Sequence, residues 1–185
     1  MKGTKVAARY AKSLLDLTIE QGKLEEAYND MLRVNELLSN NRDMQLLLSS
    51  PIVKTDKKQS IIEAVFGSDL SELTLSFIRL ITSRRREYLL EGIAASFLSQ
   101  YKVHKNILVA EITTAVPMDD KLRAKMNDLF KDIDFDDLEV HEKVDPSILG
   151  GFMVRVGDQQ IDASLAQRIG ELKQEFSKNP YIADF

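Results

Sequence analysis

Apolar residues recur at helical spacing from Thr4 to about His104, and from Ile107 they recur at every second position. That change of period from 3.6 to 2 predicts an all-helical region followed by one that contains strands. Gly22, the Asn40-Asn41 pair, Pro51, Gly67 and the arginines at 84 to 86 punctuate the first region, and six helices fit between those breaks. Val6, Tyr10, Leu14 and Leu17 form one stripe of the first helix, and Leu24, Ala27, Met31, Val34 and Leu38 that of the second. A short third helix over about 42 to 49 carries Met44, Leu47 and Leu48. The fourth starts near Thr55 and buries Ile61, Ile62, Val65 and Phe66 before Gly67 stops it, and Asp69 with Glu72 forms a capping pair for the fifth. The fifth helix shows Leu73, Phe77 and Leu80 as well as Ile78 and Ile81, a wider apolar face than one core contact requires, so it invites a partner. The sixth, over about 87 to 104, aligns Leu90, Ile93, Phe97 and Tyr101.

Beyond Ile107 the order reads strand, helix, strand, strand, helix. The first strand runs to Val116 and Pro117 ends it; Asp119 or Asp120 caps a helix with Leu122, Met126, Leu129 and Ile133; Leu138, Val140 and Val144 then alternate with polar residues. Residues 144 to 164, VDPSILGGFMVRVGDQQIDAS, hold strands, tight turns and a helix start. Asp145-Pro146 opens a turn, Gly150-Gly151 is backbone needing positive φ or very close approach, and Gly157-Asp158 turns the chain back. Asp162 or Ser164 caps the last helix, Gln167 completes a capping box, and Leu165, Ile169, Leu172 and Phe176 keep helical spacing until Asn179-Pro180, leaving YIADF as a loose tail. If the first two strands are parallel neighbours, the helix between them crosses right-handed over one face of a small mixed sheet. The fold class expected is therefore a six-helix bundle over residues 1–105 and a small α/β domain (β-α-β-β-α) over 106–185.

Composition narrows the chemistry more than it names a function. With 185 residues the chain has room for two small modules, and the absence of cysteine removes disulfides, thiolate metal sites and cysteine nucleophiles, while two histidines leave little for other metal sites. No apolar run approaches the roughly 20 residues of a membrane span, so membrane association is expected through partners. A compact start at Met1, without a secretory apolar core, points to a bacterial cytoplasmic origin. The net charge of −4 hides a division: residues 1 to 105 hold 16 Lys and Arg against 13 Asp and Glu, and the remainder 9 against 16. Such polarity suits either a bridge between two partners or two differently solvated surfaces.

Each candidate for chemistry has a simpler account. GGFMVRVG lacks the spacing and the Lys-Ser/Thr of a phosphate loop and leads into a strand. Asp145, Asp162 and His141 read as a turn aspartate, a cap and a strand-surface histidine before they read as acid/base groups. Asp132, Asp134, Asp136 and Asp137 lack the glycine and terminal glutamate of a calcium loop. Arg84, Arg85 and Arg86 complement a helix C-terminus, and an acidic chain without an aromatic platform beside them does not suggest nucleic acid. No catalytic, cofactor-binding or metal residue is nominated.

The 144–164 segment, together with AARYAKSLLDL at 7 to 17 and FIRLITSRRREYL at 77 to 89, resembles the delta subunit of bacterial F-type ATP synthases, the family of the mitochondrial oligomycin-sensitivity-conferring protein. Departures are Ala163 where the family usually has Gly, Ser76 where Asn is common, and Arg85 where Gly usually precedes the matching Arg86. The resemblance implies a non-enzymatic peripheral-stalk connector on the cytoplasmic face of the bacterial inner membrane. It implies that the helical domain receives the N-terminal helix of an alpha subunit of the catalytic head between its first and fifth helices, and that the α/β domain engages a b-type stalk subunit. Carried over by position, the contacts would be Tyr10, Ala11, Leu14, Phe77 and Leu80. Neither nucleic acid nor direct membrane insertion is implied. The rival is a helical regulatory or RNA-associated adaptor, for which strong salt-dependent nucleic-acid binding would speak.

Overall fold

The computed structural model describes residues 2–115, 135–148, 150–157 and 159–177. They fall into two compact units, Met1–His104 and Lys105–Phe185.

The first unit is helical: α1 (Lys2–Glu20), α2 (Leu24–Asn40), α3 (Arg42–Ser49), α4 (Thr55–Phe66), α5 (Glu72–Ser83), a single 3-10 turn (Glu87–Leu89) and α6 (Leu90–His104). Helix α6 is the axis of the packing, with α1 and α2 laid most extensively against it. Its Ile93, Ala94 and Phe97 are fully buried, and Leu90 and Tyr101 nearly so, as the spacing predicts. The stripe of α1 is rotated from the expected one. Ala7, Ala11, Leu14, Leu15 and Thr18 are buried, whereas Val6 and Tyr10 are half-buried and Leu17 is exposed. Small side chains explain the rotation, because Ala7 faces Gly92 of α6 at a separation that leaves room for little more than a methyl group.

Helix boundaries follow local chemistry. The Asn41 side chain accepts a bond from Met44 N (3.1 Å) and so starts α3 where α2 stops. Helix α1 ends through Gly22 at φ 67°, with Gly22 N donating to Ile19 O and Lys23 N to Thr18 O. The same double closure ends α5, where Arg85 N donates to Thr82 O and Arg86 N to Ile81 O, yet the left-handed position is held by Arg85 at φ 58°. The cap of α5 differs from the expected Asp69 and Glu72 pair. Ser71 is the capping residue, and Asp30, buried in mid-α2, accepts bonds from both its backbone N (3.0 Å) and its hydroxyl (2.6 Å). A cap supported from another helix is a tertiary feature that a local motif does not encode.

The second unit is a mixed sheet with a terminal helix. Strands β1 (Ile107–Thr114), β2 (Asp137–Val144), β3 (Phe152–Val156) and β4 (Gln159–Asp162) lie in the order β2-β1-β3-β4, followed by α7 (Leu165–Ser177). Strands β1 and β2 are parallel in register Ile107↔Asp137 to Thr114↔Val144, while β1/β3 and β3/β4 are antiparallel. The return arm after Gly157 thus adds a short fourth strand to the expected β-α-β-β-α order. The helix expected from Asp119 or Asp120 to Ile133, and the tail after Asn179, lie outside the described residues. Ala110, Ile112 and Val154 form the core of this unit, flanked by Leu108, Leu138, Phe152 and Val156.

The double glycine fulfils both expectations. Gly150 and Gly151 have φ of 135° and 81°, and a Cβ on Gly151 would collide with Ala163 O. The hairpin is pinned there, since Ala163 N donates to Phe152 O (2.9 Å) and Leu165 N to Gly150 O (3.0 Å). Ser164 is the cap of α7, accepting from Gln167 N (3.2 Å), and Asp162 accepts from Ser164 N (2.8 Å). The capping box is only half made, because the Gln167 side chain turns forward to Glu171.

Candidate docking face

Five residues were nominated for partner contact, and the structure separates them into two groups. Ala11 and Leu14 are 0% and 1% exposed, which places them in the core of the helical unit. Tyr10 and Phe77 are half-buried and Leu80 is 50% exposed. The core of α5 is made by Thr74, Leu75, Ile78, Ile81 and Thr82, so Leu73, Phe77 and Leu80 form a flank at i, i+4, i+7 that the bundle covers only in part. On α1 the corresponding flank is Val6, Tyr10 and Leu17. The two elements meet at Arg86, immediately beyond α5. Its Nη1 donates to Tyr10 Oη at 2.7 Å, and its guanidinium carbon lies 5.6 Å from the centre of the Tyr10 ring. Val6, Arg9, Tyr10, Ser13 and Arg86 line a depression of roughly 370 Å³.

A larger hollow of roughly 720 Å³ runs along the connection between α3 and α4, lined in part by Ile52, Lys58, Arg85, Glu87 and Tyr88. Beneath it lies an ion pair that the sequence reading missed: Lys58 Nζ donates to Glu87 Oε1 (2.6 Å) and to Leu48 O (2.7 Å), with both charged side chains buried. Lys58 occupies the apolar stripe of α4 four residues before Ile62, and a charge on a core face was the available signal. Glu87 Oε2 has no hydrogen-bond partner among the described residues. On α6, Tyr101 stacks on Tyr28 with ring centres 4.0 Å apart and donates to Glu25 Oε2 (2.7 Å). Burial, reinforced by the Glu25 carboxylate, pushes its hydroxyl up to about 12.

In the second unit His141, Asp145 and Asp162 take the separate structural roles expected of them. His141 is on the edge strand β2, 3.0 Å from Glu139, whereas Asp162 is on the opposite edge strand β4. Asp145 serves its turn, accepting from Ser147 N (2.9 Å), and its bonds from Ser147 hold its carboxyl below the usual range. Of the acidic run, Asp132 and Asp134 lie outside the described residues; among those described, no group of three His, Asp or Glu side chains could hold a metal. Nor is any described helix long and apolar enough to cross a membrane. The conspicuous feature here is α7, whose Leu165, Ile169, Leu172 and Phe176 are all exposed, Phe176 at 86%.

A sequence profile of the ATP synthase delta (OSCP) subunit family matches residues 6–176. The chain belongs to that family. The ATP synthase subunit delta of Cytophaga hutchinsonii is 36% identical over 178 residues, covering 96% of this chain and 97% of the relative. That of Desulforudis audaxviator is 35% identical, covering 91% and 92%. The fold is also that of a chain in the cryo-EM structure of the Toxoplasma gondii mitochondrial ATP synthase hexamer, with a TM-score of 0.73, 20% identity, and 94% of this chain and 98% of that chain covered. Membership makes the chain a structural, peripheral-stalk subunit of a membrane-associated F-type ATP synthase, part of the link between catalytic head and stator. The rival helical or RNA-associated adaptor has no support from these relatives.

Proposed function

We propose that the chain is a two-ended, non-catalytic tether whose helical domain (1–105) holds the catalytic head and whose α/β domain (106–185) holds a b-type stalk subunit, at the cytoplasmic face of the inner membrane. One observation carries the proposal: each unit keeps an apolar helical stripe that its own core leaves at least partly exposed. On the first it is Val6, Tyr10 and Leu17 of α1 with Leu73, Phe77 and Leu80 of α5; on the second it is the α7 stripe. Apolar positions at helical spacing are what a helix laid into a groove contacts. The first stripe takes the N-terminal helix of an alpha subunit, with Tyr10, Phe77 and Leu80 as direct contacts and Ala11 and Leu14 as the packed floor. The second takes a stalk helix.

Torque on the head during rotation demands slow dissociation, and buried apolar area in two separate contacts supplies it without any reacting group. Calorimetry of the full chain with a peptide of the alpha-subunit N-terminus tests the head contact. Tyr10→Asp would replace the ring by a short carboxylate beside Arg86, strip apolar area from the seat and weaken binding by about 2 kcal/mol or more. Unchanged affinity in a folded variant would contradict the assignment.

A further inference from the structure

We infer that Arg9 and Arg86 form an anion seat at the margin of the α1/α5 docking face, and that it selects the docked helix by one of that helix's carboxylates. The inference rests on the head-binding proposal above and names the chemistry that the seat recognises. The closing turn of α5 sets the Arg86 backbone, and Tyr10 holds its guanidinium by face and hydroxyl together, using one of five N–H donors. Four donors remain for a ligand, on a side chain whose orientation is already restricted, so less rotamer freedom is lost on binding. Arg9 precedes Tyr10 on α1 and lines the same depression.

Among the described residues no carboxylate pairs with either arginine, although Arg79 of α5 takes both Glu63 (3.0 Å) and Glu72 (3.1 Å). The Ser13 hydroxyl spends its proton on Arg9 O (3.0 Å), and the charged donors lining the depression are the two guanidinium groups. Two cations lining one hollow, with donors and no acid, fit a carboxylate, and Arg86 can meet it with a planar fork.

The test is calorimetry of the full chain against the alpha-subunit N-terminal peptide and a set of peptides in which each Asp or Glu is singly changed to its amide. Arg86→Gln should weaken the parent peptide about tenfold and Arg9→Gln about threefold, with both losses shrinking at high salt. One amide peptide should bind the wild-type chain correspondingly more weakly and show no further loss with Arg86→Gln. Tyr10→Phe, which keeps the ring and removes the hydroxyl, should cost affinity only for peptides that retain that carboxylate. Wild-type affinity for Arg86→Gln, or the same ratio on every amide peptide, would overturn the seat while leaving the docking face in place. Absence of parent-peptide binding to the wild-type chain would overturn the docking face and the seat with it.

Discussion

The helices α6 and α7 carry similar apolar spacings and meet opposite fates. Leu90, Ile93, Phe97 and Tyr101 of α6 are buried between α1 and α2, whereas Leu165, Ile169, Leu172 and Phe176 of α7 stand in solvent. Periodicity reports that a helix has an apolar face; it does not report what covers that face. In the first unit the cover is other helices of the same chain, and in the second the proposed cover is another protein. Interior chemistry differs likewise, since the bundle hides charge at Lys58, Glu87 and Asp30, while the sheet core is built from Ala110, Ile112 and Val154.

Breaking the comparison is easiest at the buried pair. Lys58→Met leaves Glu87 buried without its cation and should cost about 3–5 kcal/mol, confined to the bundle, whereas Lys58→Met with Glu87→Leu should recover most of the loss. Denaturant unfolding of both variants measures this, and equal destabilisation would show that Lys58 matters through packing rather than charge. In the second unit, Gly151→Val forces a β-branched residue to φ 81° against Ala163 O and should cost about 3 kcal/mol or more. Amide exchange should accelerate within Lys105–Phe185 and stay slow in the bundle.

Alkaline pH sharpens the contrast. Tyr101 titrates at about 12 in the folded protein against 10.0 ordinarily, so its contribution is complete below pH 10 and is lost as pH rises toward 12. The stability of the bundle should fall over that range, and Tyr101→Phe should flatten that part of its pH profile. A smaller effect tests the two helix stops: Arg85→Gly should stabilise by about 1 kcal/mol, because the left-handed position already filled by Gly22 in α1 favours glycine. Smallest of all, Leu172→Ser on α7 should change the stability of the isolated chain by less than about 0.5 kcal/mol, while Ile93→Ala on α6 should cost about 2–5 kcal/mol.

The elements legible in the sequence are those specified locally. Gly and Asn breaks placed the helix ends, alternation marked the strands, and Gly150-Gly151 announced a backbone that other residues resist. What escaped was set by distant partners. Asp30 reaches across from α2 to cap α5, and Lys58 finds Glu87 29 residues away. The α1 stripe was misplaced by one position because size, rather than hydrophobicity, chose Ala7 for the contact with Gly92 of α6. Of the expected docking contacts Ala11 and Leu14 are buried, while Tyr10, Phe77 and Leu80 are accessible. Arg86 was legible only as a helix-terminal charge, since its stacking on Tyr10 spans 76 positions.

The central claim is that the two uncovered stripes hold different partners. Sedimentation of stalk-containing membranes with purified catalytic head tests it most directly, comparing the full chain with Tyr10→Asp and with Leu172→Asp. The full chain should carry the head into the pellet. With Leu172→Asp the head should stay in the supernatant bound to the variant, and with Tyr10→Asp the variant should pellet without the head. Recovery of the head with Leu172→Asp equal to that with the full chain would mean that α7 is not the stalk-facing end, and the two-ended account would be wrong.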